Sequence, residues 1–317
     1  MSIVQNLQKK KKIQKALYNF SEIKYNADIQ LKNRKENIVM KKFIALFLAV
    51  LMIAACFAGC APSGAQDQGN KETQGETQAQ EKTVVVGYTI YEPMNYKDEN
   101  GKLVGFDTEL AEAVFGKLGY KVLFQEIDWG SKYTDLDSNT IDCVWNGFTA
   151  NTSDDDGIAR KDKVDFSYNY MENRQVIVVK KDSGIAAAAD LNGKMGAAEG
   201  GSAGETYGKT FEGAAIKDFP YQTDCLMEVN SGTADFAVLD AQLAKSYCGK
   251  GDYADLQIVE DLSSDVEYYA IGFKKGSELT DQVNAQLAAL AADGTIKALA
   301  EKYKVENTAI TDFSDQK

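Results

Sequence analysis

Residues 83 to about 303 predict an α/β protein of two similar lobes, on two observations: strands and helices alternate from Thr83 onward, and one short pattern occurs twice. The first strand is Thr83-Val84-Val85-Val86-Gly87-Tyr88. A hairpin-like excursion turns at Glu99-Asn100-Gly101, and Gly105-Phe106-Asp107 then opens a helix on which Leu110, Ala113, Val114 and Leu118 share a face. Lys121-Val122-Leu123-Phe124 is the next strand. That is βαβ order, which predicts a parallel-rich sheet. The repeat sets Leu136-Asp137-Ser138-Asn139-Thr140-Ile141-Asp142-Cys143-Val144-Trp145 against Val229-Asn230-Ser231-Gly232-Thr233-Ala234-Asp235-Phe236-Ala237-Val238, matched in size and polarity position by position. Each copy reads as a helix end, a tight turn and a buried strand. Polar groups follow both strands, Asn146-Gly147-Phe148-Thr149 in one and Asp240 in the other. Open α/β sheets bind ligands at that edge, so a cleft binder is the natural reading.

Ahead of this domain, Met40, Lys41 and Lys42 lead into an apolar run from Phe43 to Phe57 that ends in Ala58-Gly59-Cys60. A positive start, an apolar stretch too short for a mature transmembrane helix and small residues before a cysteine make a lipoprotein signal over residues 40–60. A diacylated cysteine would then hold the chain to the outer face of a membrane. Cys60 is the expected lipidation site because the polar tether of residues 61–82 starts directly after it; Ile53-Ala54-Ala55-Cys56 makes Cys56 the alternative. Residues 1–39 are Lys-, Asn- and Ile-rich without periodicity and read as a non-native or disordered extension.

Charge narrows the class. Residues 60–317 hold 24 of the 35 Lys and Arg and 44 of the 47 Asp and Glu, a net −20 that argues against nucleic acid or anionic lipid headgroups as partners. The chain has no histidine, which removes Ser-His-Asp and Cys-His catalysis, histidine zinc sites and the commonest general base. Beyond the signal only Cys143, Cys225 and Cys248 remain, without CxxC spacing; they read as buried thiols, with a Cys225–Cys248 bridge as the alternative in an oxidising compartment.

Several segments, in this order, resemble the type II solute-binding proteins of polar amino acid ABC importers: Tyr91-Glu92-Pro93-Met94, Gly101 to Asp107, Asp128-Trp129, Gly147-Phe148-Thr149, Val164-Asp165-Phe166-Ser167, Asp190-Leu191-Asn192-Gly193-Lys194, Asp235 to Asp240 and Asp293-Gly294-Thr295. The resemblance covers residues 83 to about 305. It implies a two-lobed periplasmic-binding-protein-like fold, with residues 83–172 and 269–317 as lobe 1, 173–268 as lobe 2, and crossing segments near Glu172 to Gln175 and Asp265 to Tyr269. It implies a monomeric, lipid-anchored, extracytoplasmic receptor that takes up a free polar L-amino acid and delivers it to an ABC permease, with no cofactor, no metal and no catalytic residue.

The same resemblance assigns the ligand contacts. Arg160, five residues before Asp165, would grip the α-carboxylate, for which a planar guanidinium is suited. Ser202, in Glu199-Gly200-Gly201-Ser202, would add backbone N–H donors, and Asp240 would accept from the α-ammonium with the Gly147 carbonyl and the Thr149 hydroxyl. Asn146 is a further expected ligand-binding residue, and Tyr91 and Trp129 would sandwich the ligand's side chain. The plain alternatives are a surface arginine in a charged loop and ordinary core aromatics.

Three departures from the family pattern bear on the ligand. Asn151-Thr152-Ser153-Asp154-Asp155-Asp156-Gly157 replaces a short turn before Arg160 and puts its reach in question; Tyr88 stands for a frequent acid on the first strand; Glu199 stands for a usual glutamine. Aromatic walls with neutral polar groups point to an uncharged polar or sulfur-containing side chain. The competing functions are a periplasmic enzyme on the same fold, resembling cyclohexadienyl dehydratase and using Glu199 or Glu92, and a ligand-sensing domain.

Overall fold

The computed structural model describes residues 82–316; the lipoprotein signal with Cys56 and Cys60, the tether and the N-terminal extension lie outside the described residues. The strands, in chain order, are β1 (Lys82–Tyr88), β2 (Tyr96–Lys97), β3 (Leu103–Val104), β4 (Tyr120–Glu126), β5 (Cys143–Val144), β6 (Asp165–Phe166) and β7 (Met171–Asn173). They continue as β8 (Gln175–Lys180), β9 (Met195–Glu199), β10 (Ala215–Phe219), β11 (Phe236–Asp240), β12 (Leu256–Ser263), β13 (Glu267–Tyr269) and β14 (Gly272–Phe273).

Two five-stranded sheets form, in the orders β4-β1-β5-β14-β6 and β10-β9-β11-β8-β12. In the first, β1 runs parallel to β4 and β5, and β14 runs antiparallel to β5 and β6. The second repeats this: β9 is parallel to β10 and β11, and β8 is antiparallel to β11 and β12. The protein is therefore a two-lobed α/β fold with one sheet to each lobe. A short antiparallel ribbon, β7 against β13, carries the chain between the sheets, with Asn173 opposite Glu267 and Met171 opposite Tyr269.

The sequence repeat is a structural repeat. Its copies end in β5 and β11, the middle strand of each sheet. The turns match bond for bond: the Thr140 N–H donates to Asp135 O and the Thr233 N–H to Glu228 O, both at 2.9 Å. The hydroxyls of Ser138 and Thr140 pair at 2.9 Å, as do those of Ser231 and Thr233. Asp142 accepts from the Val85 N–H at 2.7 Å and Asp235 from the Met195 N–H at 2.9 Å, so each aspartate pins its turn to the neighbouring strand. The matching turn residues, Asn139 and Gly232, are left-handed with φ of 57° and 78°, a conformation that asparagine and glycine adopt most readily.

Helix Phe106–Lys117 lies on the first sheet and buries Phe106, Leu110, Ala111, Val114 and Phe115. Of the face read from sequence, Leu110 and Val114 are buried while Ala113 and Leu118 are half-buried, so the buried stripe is rotated toward Ala111 and Phe115. Trp145, fully buried, packs edge-on against Phe115, and each such side chain contributes about 1.5–3 kcal/mol through burial. The second lobe has its own core of Ile177, Val179, Leu191, Phe236 and Val238. Cys143, Cys225 and Cys248 are free thiols; the Cys225–Cys248 bridge does not form, and the Cys225 thiol contacts Tyr221 O instead.

Candidate functional site

The ends of β5 and β11 face one narrow cavity, with room for only about 10 Å³ between its walls. Trp129, Asn146, Gly147, Thr149 and Arg160 line it from the first lobe, and Glu199, Ser202, Ala203, Gln222 and Asp240 from the second. The lobes stand close across it. Among the described residues no group of His, Cys, Asp and Glu is arranged to hold a metal ion.

Arg160 begins a short helix, Arg160–Lys163, and is 1% exposed. Its Nε donates to Asp154 Oδ1 at 2.8 Å, its Nη1 to Thr149 O at 3.3 Å and its Nη2 to Gly201 O at 3.3 Å. The inserted acidic turn holds the guanidinium rather than displacing it. Burial works to raise the Asp154 carboxyl, but the Arg160 charge and hydrogen bonds from Lys163 and Tyr133 outweigh it and bring it to about 2.

Asp240 closes β11 and is buried. Asn173 Nδ2 and Gln175 Nε2 donate to its Oδ1 at 2.7 and 2.6 Å, and Gln222 Nε2 to its Oδ2 at 2.5 Å. Burial raises its pKa against these bonds. Glu199, at the end of β9, is pushed up to about 8 by burial and then by the Asp240 charge, with Lys132 pulling the other way. Glu267, which accepts from Thr149 Oγ1 at 3.1 Å and Gln175 Nε2 at 2.9 Å, is raised to about 7 by burial and then by Asp240. Lys132 is lowered to about 7 by burial and then by Arg160; its Nζ donates to Gly201 O at 3.0 Å and sits 4.9 Å from the centre of the Trp129 ring.

The other expected residues fall into three groups. Trp129 lines the cavity, standing edge-to-face on Phe148 at 5.3 Å, with Asp128 capping its turn. Asn146 lines it too, but its side chain is engaged by Thr89 and Asn95, so it is a strut of the wall. Gly147 turns the wall at φ 59°. Ser202 lines the cavity and caps helix Ala203–Gly208 by accepting from the Glu205 N–H at 3.0 Å, while its own N–H donates to Glu199 O at 3.2 Å. Tyr91 is not among the lining residues: its hydroxyl pairs with that of Tyr269 at 2.8 Å, and its ring lies beneath Gly147.

Gln222, Lys132 and Glu267 were not anticipated. Gln222 begins a helix and Lys132 follows Trp129 by three residues, positions where polar side chains are ordinarily exposed; here Gln222 is turned in to Asp240, and Lys132 is held by Trp129 O and by Gly201 O of the second lobe.

The model of the bacterial extracellular solute-binding proteins, family 3, matches residues 84–306. The chain belongs to that family. It is similar to the arginine-binding extracellular protein ArtP of Bacillus subtilis, 33% identical over 269 residues that span 83% of this chain and 98% of ArtP. The L-cystine-binding protein TcyA of the same organism is 30% identical over 276 residues, 85% of this chain and 99% of TcyA. Among solved structures, an ancestral arginine-binding protein bound to arginine matches with a TM-score of 0.63 and 37% identity, covering 70% of this chain and 97% of that one. These relatives are binding proteins rather than enzymes, and the enzyme reading loses ground accordingly.

In this family 3 protein the buried acids set an unusual stability profile. Asp107, raised to about 7 by burial, holds the Gly147 N–H at 3.0 Å, and joins Glu199 and Glu267. Carboxyls raised on folding bind protons more tightly in the native state, so their stabilisation is complete below the unfolded values near 4–4.5 and is lost as pH rises through the folded ones. Lys132, lowered to about 7, is protonated in both states below that pH and does not oppose the trend there. The melting temperature of the ligand-free protein should fall between pH 5 and 7, and Glu267→Gln should flatten the fall; a rising melting temperature over that window would contradict the assignment.

Proposed function

We propose that this protein captures a free polar amino acid between its lobes, outside the cytoplasm, and delivers it to an ABC permease while a lipid on Cys60, or alternatively Cys56, anchors it to the membrane. One observation carries the reading: a buried arginine from one lobe and a buried aspartate from the other line the same cavity. Arg160 takes the α-carboxylate and Asp240 the α-ammonium, so the zwitterion supplies each charge with its opposite. Thr149 and Gly147 complete the ammonium side, and Trp129 borders the side chain. Closure of the lobes then buries the ligand.

Two observations bear on the side chain. Glu199, raised to about 8, is largely protonated at neutral pH and offers a neutral polar group, which favours an uncharged partner. The relatives' names favour arginine and cystine as the first compounds to test.

A thermal-shift screen of the purified protein with the proteinogenic amino acids and L-cystine tests this. One compound should raise the melting temperature and be recovered unchanged, since ligand at a hundred times its Kd adds about 2.7 kcal/mol of stability. Stabilisation by none of them would refute amino acid capture, and chemical conversion of the compound would make the protein an enzyme. The mass of the mature N-terminal peptide decides between Cys60 and Cys56.

A further inference from the structure

We propose that Asp154 is a positioning residue, which fixes the Arg160 guanidinium so that only its Nη1–Nη2 edge is left for the ligand's carboxylate. The inference rests on the amino acid reading above and specifies how the carboxylate is met. A guanidinium offers two forked edges, one through Nε and one through the paired Nη groups. Asp154 Oδ1 occupies Nε at 2.8 Å and so closes the first edge. Its other oxygen accepts from Tyr133 Oη at 2.6 Å and from Lys163 Nζ at 2.8 Å. Those two donors share the charge of Asp154, so the pair does not cancel the arginine's attraction for an anion.

The opposite edge of Arg160 meets only carbonyl oxygens, Thr149 O and Gly201 O, each at 3.3 Å. These contacts are long and neutral, and a carboxylate drawn to the Nη groups replaces them with shorter charge-assisted bonds. The neighbouring Asp155 reaches away from Arg160 to the second lobe, accepting from Thr206 Oγ1 at 3.0 Å and pairing with Lys209. The acidic turn thus separates two tasks between adjacent residues, and only Asp154 touches the arginine.

Arginine-selective ¹⁵N labelling reads this directly, because the chain from Cys56 onward has two arginines, Arg160 and Arg174. The Arg160 Nε–H should exchange with water at least about tenfold more slowly than that of Arg174, Asp154→Asn should abolish that protection, and Asp155→Ala should leave it intact. Unchanged protection in Asp154→Asn would overturn the proposal. Should Asp154→Asn fail to fold, Tyr133→Phe, which removes one bond to Asp154, should reduce the protection partway, and no reduction counts against the proposal. The second readout compares L-arginine with agmatine, the same molecule without its carboxylate. Asp154→Asn should weaken L-arginine about tenfold or more and alter agmatine less than twofold; equal losses would show a general structural role and overturn the proposal. If the parent protein binds neither, arginine is not its ligand, and the exchange measurement still decides the positioning.

Discussion

Asp240→Ala should weaken binding of the amino acid found by the screen by roughly thirtyfold to several thousandfold, about 2–5 kcal/mol, with the fold intact. The loss is large because the carboxylate is buried and held in place by three amide donors, from Asn173, Gln175 and Gln222, so it meets the ligand's ammonium already oriented. The fold persists because burial already opposes ionisation of this carboxyl; its charge is a cost to the ligand-free protein. Arg160→Ala should cost a comparable amount, since it leaves the ligand's carboxylate without its cation. Trp129→Ala should cost less and vary with the ligand's side chain. Calorimetric titration of the three variants checks the set, and an Asp240→Ala protein that binds as tightly as the parent would end the ammonium assignment.

The second large effect belongs to a residue without a side chain. Gly147→Ala should lower stability by about 2–4 kcal/mol, combining left-handed strain with overpacking. The backbone there has φ 59°, and an added Cβ would lie 2.7 Å from Tyr91 Cε1 and 3.0 Å from Tyr269 Cε2. Neither ring retreats easily, because their hydroxyls are bonded to each other. For a domain of this size the melting temperature should drop by roughly 5–15 °C. A variant melting within a degree of the parent would show that the aromatic floor yields, and that the glycine is not required.

Much of the architecture was legible because it is written in short-range chemistry. The paired turns at Ser138 to Asp142 and Ser231 to Asp235 carry their own hydrogen-bond donors and acceptors, so likeness of sequence becomes likeness of structure without help from distant residues. The helix at Phe106 and the strands on either side of it follow from periodicity for the same reason. The cavity was legible in part. Arg160, Trp129 and Asp240 stand in it, while Tyr91 sits one layer below, because an aromatic three residues beyond a strand end gives no sign of which layer it will fill. Lys132 and Glu267 were invisible as buried groups, since Gly201 over Lys132 and Thr149 on Glu267 come from distant parts of the chain, and Gln222 was hidden because its partner Asp240 lies across a helix, a turn and a strand. The acidic turn misled differently. Three consecutive aspartates look like a solvated loop, but Asp154 is folded back against Arg160, and six residues of separation with an intervening left-handed Gly157 let it do so.

The order in which strands are made differs from the order in which they pair. All five strands of the second sheet, β8 to β12, are contiguous in the chain and complete by Ser263. The first sheet has a gap between β5 and β6 that only β14, Gly272–Phe273, fills. As the polypeptide leaves the ribosome, its inner lobe can finish while the outer one waits for a segment synthesised about a hundred residues after β6. Such long-range closure is slow. The outer sheet therefore cannot reach its native strand order until Gly272–Phe273 has been made, however early its other four strands appear.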